Sequence, residues 1–124
     1  MLVFTATTTQ AEETDATLRA YAAGYKAAFT CSGVFNAGKS LAQIKEHELS
    51  GIYPKIQPIL DSLPDAVIDQ TNKTVSVEYS SDMPPRISVH RGLYGCTQLP
   101  VGAALEGAKL LPVLPPFEDD NRPD

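Results

Sequence analysis

Residues 33–40 read Gly-Val-Phe-Asn-Ala-Gly-Lys-Ser and fit the phosphate-binding P-loop pattern at every fixed position. In a P-loop, backbone amides bind phosphate oxygens, the lysine binds the terminal phosphates and the hydroxyl binds magnesium. Lys39 and Ser40 would supply the lysine and the hydroxyl. One alternative for this chain is therefore a nucleotide-binding protein with magnesium-dependent affinity for ATP or GTP.

The residues inside and around this stretch argue against nucleotide binding. Val34 and Phe35 put a β-branched and an aromatic side chain into a loop that needs compact residues and permissive dihedrals. The nearest carboxylates for magnesium, Asp61 and Asp69, follow segments that prolines interrupt. We therefore favour a simple turn and helix start at residues 38–40, and we predict no cofactor and no metal.

Covalent acyl transfer by a Ser-x-x-Lys motif requires a serine nucleophile and a lysine three residues later that sets its protonation. None of the eight serines has a lysine at that distance. The chain also contains no G-x-S-x-G nucleophile elbow, and no spacing singles out a set of serine, histidine and aspartate. We predict that no catalytic residue lies in this chain.

Three other groups of polar residues have a structural explanation that we favour over a functional one. Arg86, His90 and Arg91 could bind an anion near a strand end, but we favour a solvated strand face. His47 and His90 form no zinc-ligand cluster with the cysteines. A carboxylate group near the end lacks the spacing of a calcium loop and indicates a solvated tail; it comprises Glu118, Asp119, Asp120 and Asp124.

The charge balance limits the partners of the chain. Ten Lys and Arg against fifteen Asp and Glu give a net charge of −5, which repels a phosphate backbone unless positive charge is locally concentrated. The 124 residues contain no such concentration and no apolar run long enough to cross a bilayer. We therefore expect a soluble protein with no nucleic-acid or membrane partner.

Two cysteines, Cys31 and Cys96, form either one disulfide or two separate buried thiols. We favour the disulfide. In the loop-entropy model, closing a loop of this length stabilises the folded state by about 4 kcal/mol, a large share of the stability of a small domain.

The elements that position these residues begin with a helix whose apolar face recurs at helical spacing; the face comprises Leu18, Tyr21, Ala22, Tyr25 and Phe29. Thr14 or Asp15 could cap its start. Ser40 and Gln43 have the spacing of a capping box and predict a second, short helix over residues 41–49. The tyrosines are assigned to packing in the core.

The rest of the chain predicts short helices and a small antiparallel sheet. Prolines bound a short, irregular helix over residues 56–63. Residues 66–79 alternate around a turn at 71–73 and predict a hairpin, and residues 87–91 predict a third strand. One more short helix is expected at 105–111. The fold class is therefore α+β.

Two separated stretches carry a resemblance to a known family. Residues 25–38, Tyr-Lys-Ala-Ala-Phe-Thr-Cys-Ser-Gly-Val-Phe-Asn-Ala-Gly, resemble the first part of certain bacterial serine hydrolases of the β-lactamase and penicillin-binding protein superfamily. Residues 91–97, Arg-Gly-Leu-Tyr-Gly-Cys-Thr, are similar to an Arg-x-Gly-Leu-Gly-Cys-Thr stretch that follows a strand in the same enzymes. The resemblance covers residues 18–123, and its motifs carry no catalytic residue.

This resemblance implies the noncatalytic N-terminal part of an esterase or amidase that is periplasmic or secreted. The Ser-x-x-Lys nucleophile would lie beyond Asp124 or in a partner chain, and the helix and strands would pack onto that catalytic body. Residues 14–111 would form this part, after a flexible N-terminus or signal remnant at 1–13 and before a Pro-rich acidic tail or linker at 112–124. The alternative from another class is an autonomous, disulfide-stabilised binding module.

Overall fold

One long helix lies across a small antiparallel sheet, with two short helices beside it. This computed structural model describes residues 9–115, with side chains described from residue 15 onward. The helices are α1 (Thr9–Cys31), α2 (Leu41–His47) and α3 (Gln57–Ser62). Together with the sheet they confirm the predicted α+β class, including the two short helices.

The sheet has four strands in the order β1-β2-β3-β4, and each neighbouring pair is antiparallel. The strands are β1 (Val67–Asp69), β2 (Thr74–Val77), β3 (Arg86–His90) and β4 (Cys96–Gln98). The first three confirm the predicted hairpin and third strand. The sequence did not predict β4, because three residues are too few to show an alternating pattern and only pairing with β3 holds them extended.

The hairpin turn between β1 and β2 is built by Asp69. Its carboxylate accepts hydrogen bonds from the backbone N–H groups of Thr71 and Asn72 and from Nδ2 of Asn72. These bonds, the Asn72 backbone bond foremost, lower the pKa of Asp69 because they stabilise the charged form. Lys73 then takes a positive φ of 55° to return the chain into β2.

The ends of the helical segments differ from the prediction. Helix α1 begins at Thr9, so Thr14 and Asp15 lie inside it and neither is its cap. After Cys31 the chain continues as a π-helical turn, Ser32–Asn36. A 3-10 helix at Leu105–Leu110 replaces the last predicted helix with nearly the same bounds. Residues 1–8 of the predicted N-terminus or signal remnant (1–13) and residues 116–124 of the predicted tail (112–124) lie outside the described residues.

The buried face of α1 is made of small residues and not of the predicted aromatic ones. Tyr21 is 61% exposed and Phe29 is 39% exposed, so the prediction was wrong for these two, whereas Ala22 is buried as predicted and Tyr25 packs half-buried against the core. Tyr53 and Tyr94 are exposed as well, whereas Tyr79 is buried as predicted. The buried positions of α1 are Ala20, Ala22, Ala23, Gly24, Ala27, Thr30 and Cys31.

Small residues are required here because the helix backbone lies very close to the sheet. The strand register places Arg86 and Gln98 on the same face as Val75 and Val77. A Cβ added at Gly24 would lie 2.6 Å from Nε2 of Gln98 and 2.7 Å from a terminal guanidinium nitrogen of Arg86. Glycine at this position therefore lets both long side chains fit between helix and sheet.

The short helices close the other side of the core. Ser40 and Gln43 form the predicted capping box at the start of α2, whose Ile44 is fully buried. Gln57 ties α3 to the preceding loop, because its side chain donates to the carbonyl of Leu49 at 2.9 Å and accepts from the N–H of Ile52 at 3.0 Å. These helices pack around a common core with α1 and β2.

Gly24→Ala should lower the free energy of unfolding by about 1–3 kcal/mol, since the added methyl group displaces buried side chains. Urea unfolding measures the change. Gly107→Ala is the matched control, because a Cβ there would meet its nearest atoms at the ordinary distances of 3.8 and 3.9 Å. Equal stability of the two variants would contradict the close approach of α1 to the sheet.

Candidate functional site

The P-loop-like stretch lacks the geometry that binds phosphate. Helix α1 precedes this stretch where a P-loop has a strand. The first residues of the stretch, 33–36, lie in the π-helical turn. The backbone N–H groups of Ala37 and Lys39 donate to the carbonyls of Ser32 and Gly33 at 3.1 and 2.9 Å. They are therefore not directed at an anion.

The lysine and serine of the same stretch also have structural partners. Nζ of Lys39 lies 2.5 Å from a carboxylate oxygen of Glu48, which forms an ion pair across α2. The hydroxyl of Ser40 accepts from the N–H of Gln43 at 3.2 Å and caps α2. Gly33 is packed against Ile44, where an added Cβ would lie 2.6 Å from a side-chain carbon. Each of these motif residues therefore has a role in folding.

A disulfide joins the two stretches that carry the family resemblance. Cys31 is the last residue of α1 and Cys96 is the first residue of β4; their sulfurs are bonded and their Cα atoms lie 6.3 Å apart. This confirms the favoured alternative for the cysteines, and the described residues contain no free thiol. Such bonds persist in oxidising compartments.

Beside the disulfide, a chain of hydrogen bonds connects the end of α1 to the end of β3. Nε2 of His90 lies 2.9 Å from Oδ1 of Asn36, and Nδ2 of Asn36 lies 3.2 Å from the hydroxyl of Ser32. Because Asn36 donates to Ser32, its oxygen faces His90 and the histidine is the donor. An amide does not carry a proton from Ser32 to His90. The hydrogen bonds therefore hold the end of α1 against the end of β3, and they do not activate a nucleophile.

Aromatic contacts extend the same cluster to the hairpin turn. The ring of Phe35 lies 5.4 Å from the His90 ring between centroids, and Nζ of Lys73 lies 5.2 Å from the Phe35 centroid. The N–H of His90 donates to the carbonyl of Lys73 at 2.8 Å. Phe35 thus packs half-buried against the sheet end and is not part of a phosphate-binding loop.

The basic residues in and directly after β3 do not form an anion site. Arg86 is only 8% exposed, so the solvated face predicted for it was wrong. Its guanidinium donates to the carbonyl of Ala20 at 2.8 Å and contacts that of Leu99 at 3.5 Å. His90 bonds Asn36, and Arg91 donates to the carbonyl of Pro112. The three side chains therefore have separate partners. In the sequence, only Gly24 indicates that Arg86 is buried.

A pocket lies between α1, α2 and α3. Its volume is about 520 Å³, within the range of about 300–1,000 Å³ that is usual for small-molecule sites. Lys26 and Lys45 line it together with Asp61 and Asp65. Burial lowers the pKa of Lys26. The carboxylates of Asp65 and Asp61 raise this pKa, and the neighbouring Lys45 lowers it further. Sequence spacing gave no sign of this pocket, because its charges come from separate elements.

The described part of the chain contains neither a metal-ligand cluster nor a membrane-spanning helix. Residues 9–115 contain no group of three or more histidine, cysteine or acidic side chains placed to hold a metal ion. Within the same residues, no helix has the length and apolar character needed to cross a bilayer. The proposed calcium alternative at Glu118–Asp124 falls outside this range.

Comparisons with protein-family models, with curated proteins and with solved structures found no match to this chain. Its function must therefore be argued from its own residues and their arrangement.

Replacing both cysteines, Cys31→Ala with Cys96→Ala, should lower the free energy of unfolding by about 4 kcal/mol according to the loop-entropy model. Urea unfolding of the oxidised, the thiol-reduced and the substituted chain measures the effect. Reduction of the wild-type chain should give nearly the same loss as substitution. Equal stability of the oxidised and reduced chains would contradict a stabilising role for the bond.

Proposed function

We propose that this chain is the noncatalytic N-terminal part of a serine hydrolase with the β-lactamase fold, an esterase or amidase that acts in the periplasm or outside the cell. The catalytic serine and lysine belong to the remaining polypeptide. This chain supplies a helix and strands that support the catalytic body. The proposal begins from the resemblance of residues 25–38 and 91–97 to the first part of such enzymes.

The observation that carries the proposal is that these two stretches adjoin in space. The Cys31–Cys96 bond links them covalently, and Asn36 contacts His90 next to the second stretch. A Cβ added at Gly95 would lie 3.5 Å from Nδ2 of Asn36. The two stretches therefore form one unit, as parts of one scaffold would.

The surface of α1 supports the proposal independently. Tyr21 and Phe29 are exposed at positions i and i+8, and Tyr25 at i+4 lies half-buried against the core between them; no charged side chain of α1 interrupts this strip. The rings of Tyr25 and Phe29 are stacked with centroids 4.3 Å apart. Surface helices of monomeric proteins usually place charged residues on their exposed face. An uncharged aromatic strip is typical of a surface that another polypeptide covers.

In the described residues, the serine next to the disulfide and the lysine with a lowered pKa do not form a nucleophilic pair, which is consistent with a supporting role. Ser32 is bonded to Asn36, and the one lysine whose pKa is lowered, Lys26, has no serine three residues before it. The disulfide agrees with an oxidising compartment. We therefore place the chain in the periplasm or outside the cell.

The alternative of an autonomous binding module draws on a different observation. The described residues have their own buried core, which includes Ile44, Leu60 and Val77, and their own disulfide. Such a unit predicts cooperative unfolding in isolation and no reactive partner polypeptide. The experiment below separates the two functions.

The test uses a fluorophosphonate probe on material isolated from the native cells through a tag on this chain. The label should appear on a serine within a Ser-x-x-Lys sequence outside residues 1–124, in a polypeptide that contains this chain or co-purifies with it. Labelling of a serine in this chain, or no labelled polypeptide at all, would contradict the proposal.

Where the labelled serine lies in a co-purifying chain, Tyr21→Glu with Phe29→Glu should lower the recovered label more than tenfold, because buried aromatic anchors at interfaces are each worth about 2 kcal/mol or more. Tyr53→Glu is the matched control, since Tyr53 is also exposed but lies outside α1. Equal labelling with both variants would show that the aromatic strip is not the contact surface.

A further inference from the structure

The pocket between the three helices carries opposite charges on different elements. Lys26 comes from α1 and Lys45 from α2, whereas Asp61 comes from α3 and Asp65 from the segment that follows it. The cavity of about 520 Å³ is open to solvent and large enough for a small molecule. The pocket therefore carries charges of both signs and is not uniformly charged.

The charged groups of the pocket are largely unused by the fold. Within the described residues, no ion pair joins either lysine to either carboxylate. Nζ of Lys26 donates to the carbonyl of Pro64 at 3.0 Å, which leaves further N–H donors of the ammonium group without a protein acceptor. Asp61 accepts from Gln57 at 2.9 Å and retains lone pairs for another donor.

An incoming anion would stabilise the charged form of the half-buried Lys26. Desolvation lowers its pKa, and the neighbouring Lys45 repels it. A ligand carboxylate between the two ammonium groups would relieve both effects. The exposed carboxylates Asp61 and Asp65 oppose a ligand that is only anionic, because they repel it at the same pocket.

The floor of the pocket is apolar. Ile44 is 1% exposed and Leu60 is 3% exposed, and both line the cavity. An aliphatic group laid against these side chains is removed from water, which favours binding by about 25 cal/mol for each Å² of apolar surface buried. The complementary ligand therefore has an apolar group beside its charges.

We propose that this pocket binds a zwitterion with an apolar side chain, that is, an aliphatic α-amino acid. The carboxylate of the ligand pairs with Lys26 and Lys45, its ammonium group pairs with Asp61 and Asp65, and its side chain contacts Ile44 and Leu60. This inference does not depend on the proposed hydrolase function, because it uses only residues of this pocket.

The test compares three ligands with the same aliphatic skeleton by isothermal titration calorimetry at neutral pH, using the full chain with its disulfide intact. L-Leucine carries both charges, 4-methylpentanoate only the carboxylate, and 3-methylbutylamine only the ammonium group. We expect leucine to bind at least tenfold more tightly than either analogue, because each analogue leaves one charged group of the pocket without its partner. No saturable binding of leucine, or equal affinity for one analogue, would overturn the proposal.

Variants locate the binding in this pocket. Lys26→Met and Asp65→Asn should each weaken leucine binding about tenfold, since each removes one charge-assisted contact. Lys55→Met is the matched control, because Lys55 is exposed and does not line the cavity. Urea unfolding establishes that each variant is folded, and Asp65→Asn changes an exposed side chain without altering its shape. Leucine affinity that is the same in Asp65→Asn and in Lys55→Met would overturn the assignment to this pocket.

Discussion

The close approach of α1 to the sheet is the constraint on which the rest of the structure depends. A row of alanines and Gly24 lets the helix backbone come near β3 and β4, and the Cys31–Cys96 bond fixes the helix end to the sheet edge. At this distance the Arg86 guanidinium reaches the carbonyl of Ala20 within the interface. Larger residues on this face of α1 would separate the layers and leave Arg86 buried without its acceptor.

The same constraint determines what remains on the surface. Because small residues occupy the buried positions of α1, the aromatic residues Tyr21 and Phe29 are left exposed on the opposite side. Because α1 ends at the disulfide, the chain turns through the π-helical residues Ser32–Asn36 and starts α2 at Ser40. The residues that match the P-loop pattern have structural roles in this turn. Gly33 packs against Ile44, Lys39 pairs with Glu48 and Ser40 caps α2.

Local sequence signals predicted the helices and strands, whereas long-range packing determines which face of each element is buried. The capping box at Ser40, the hairpin turn at 71–73 and the prolines around α3 act over a few residues, so the sequence revealed them. The orientation of α1 depends on how closely it meets the sheet, and helical spacing alone favoured the aromatic stripe. The pocket of Lys26 and Asp61 depends on three helices meeting, which no local pattern encodes.

The central claim is that the aromatic strip on α1 is covered in the native protein. Hydroxyl-radical footprinting of Tyr21, in material from native cells and in the isolated 124-residue chain, tests it most directly. The account predicts strong labelling of Tyr21 in the isolated chain and weak labelling in the native material, while the buried Tyr79 stays weakly labelled in both. Equally strong labelling of Tyr21 in both samples would contradict it.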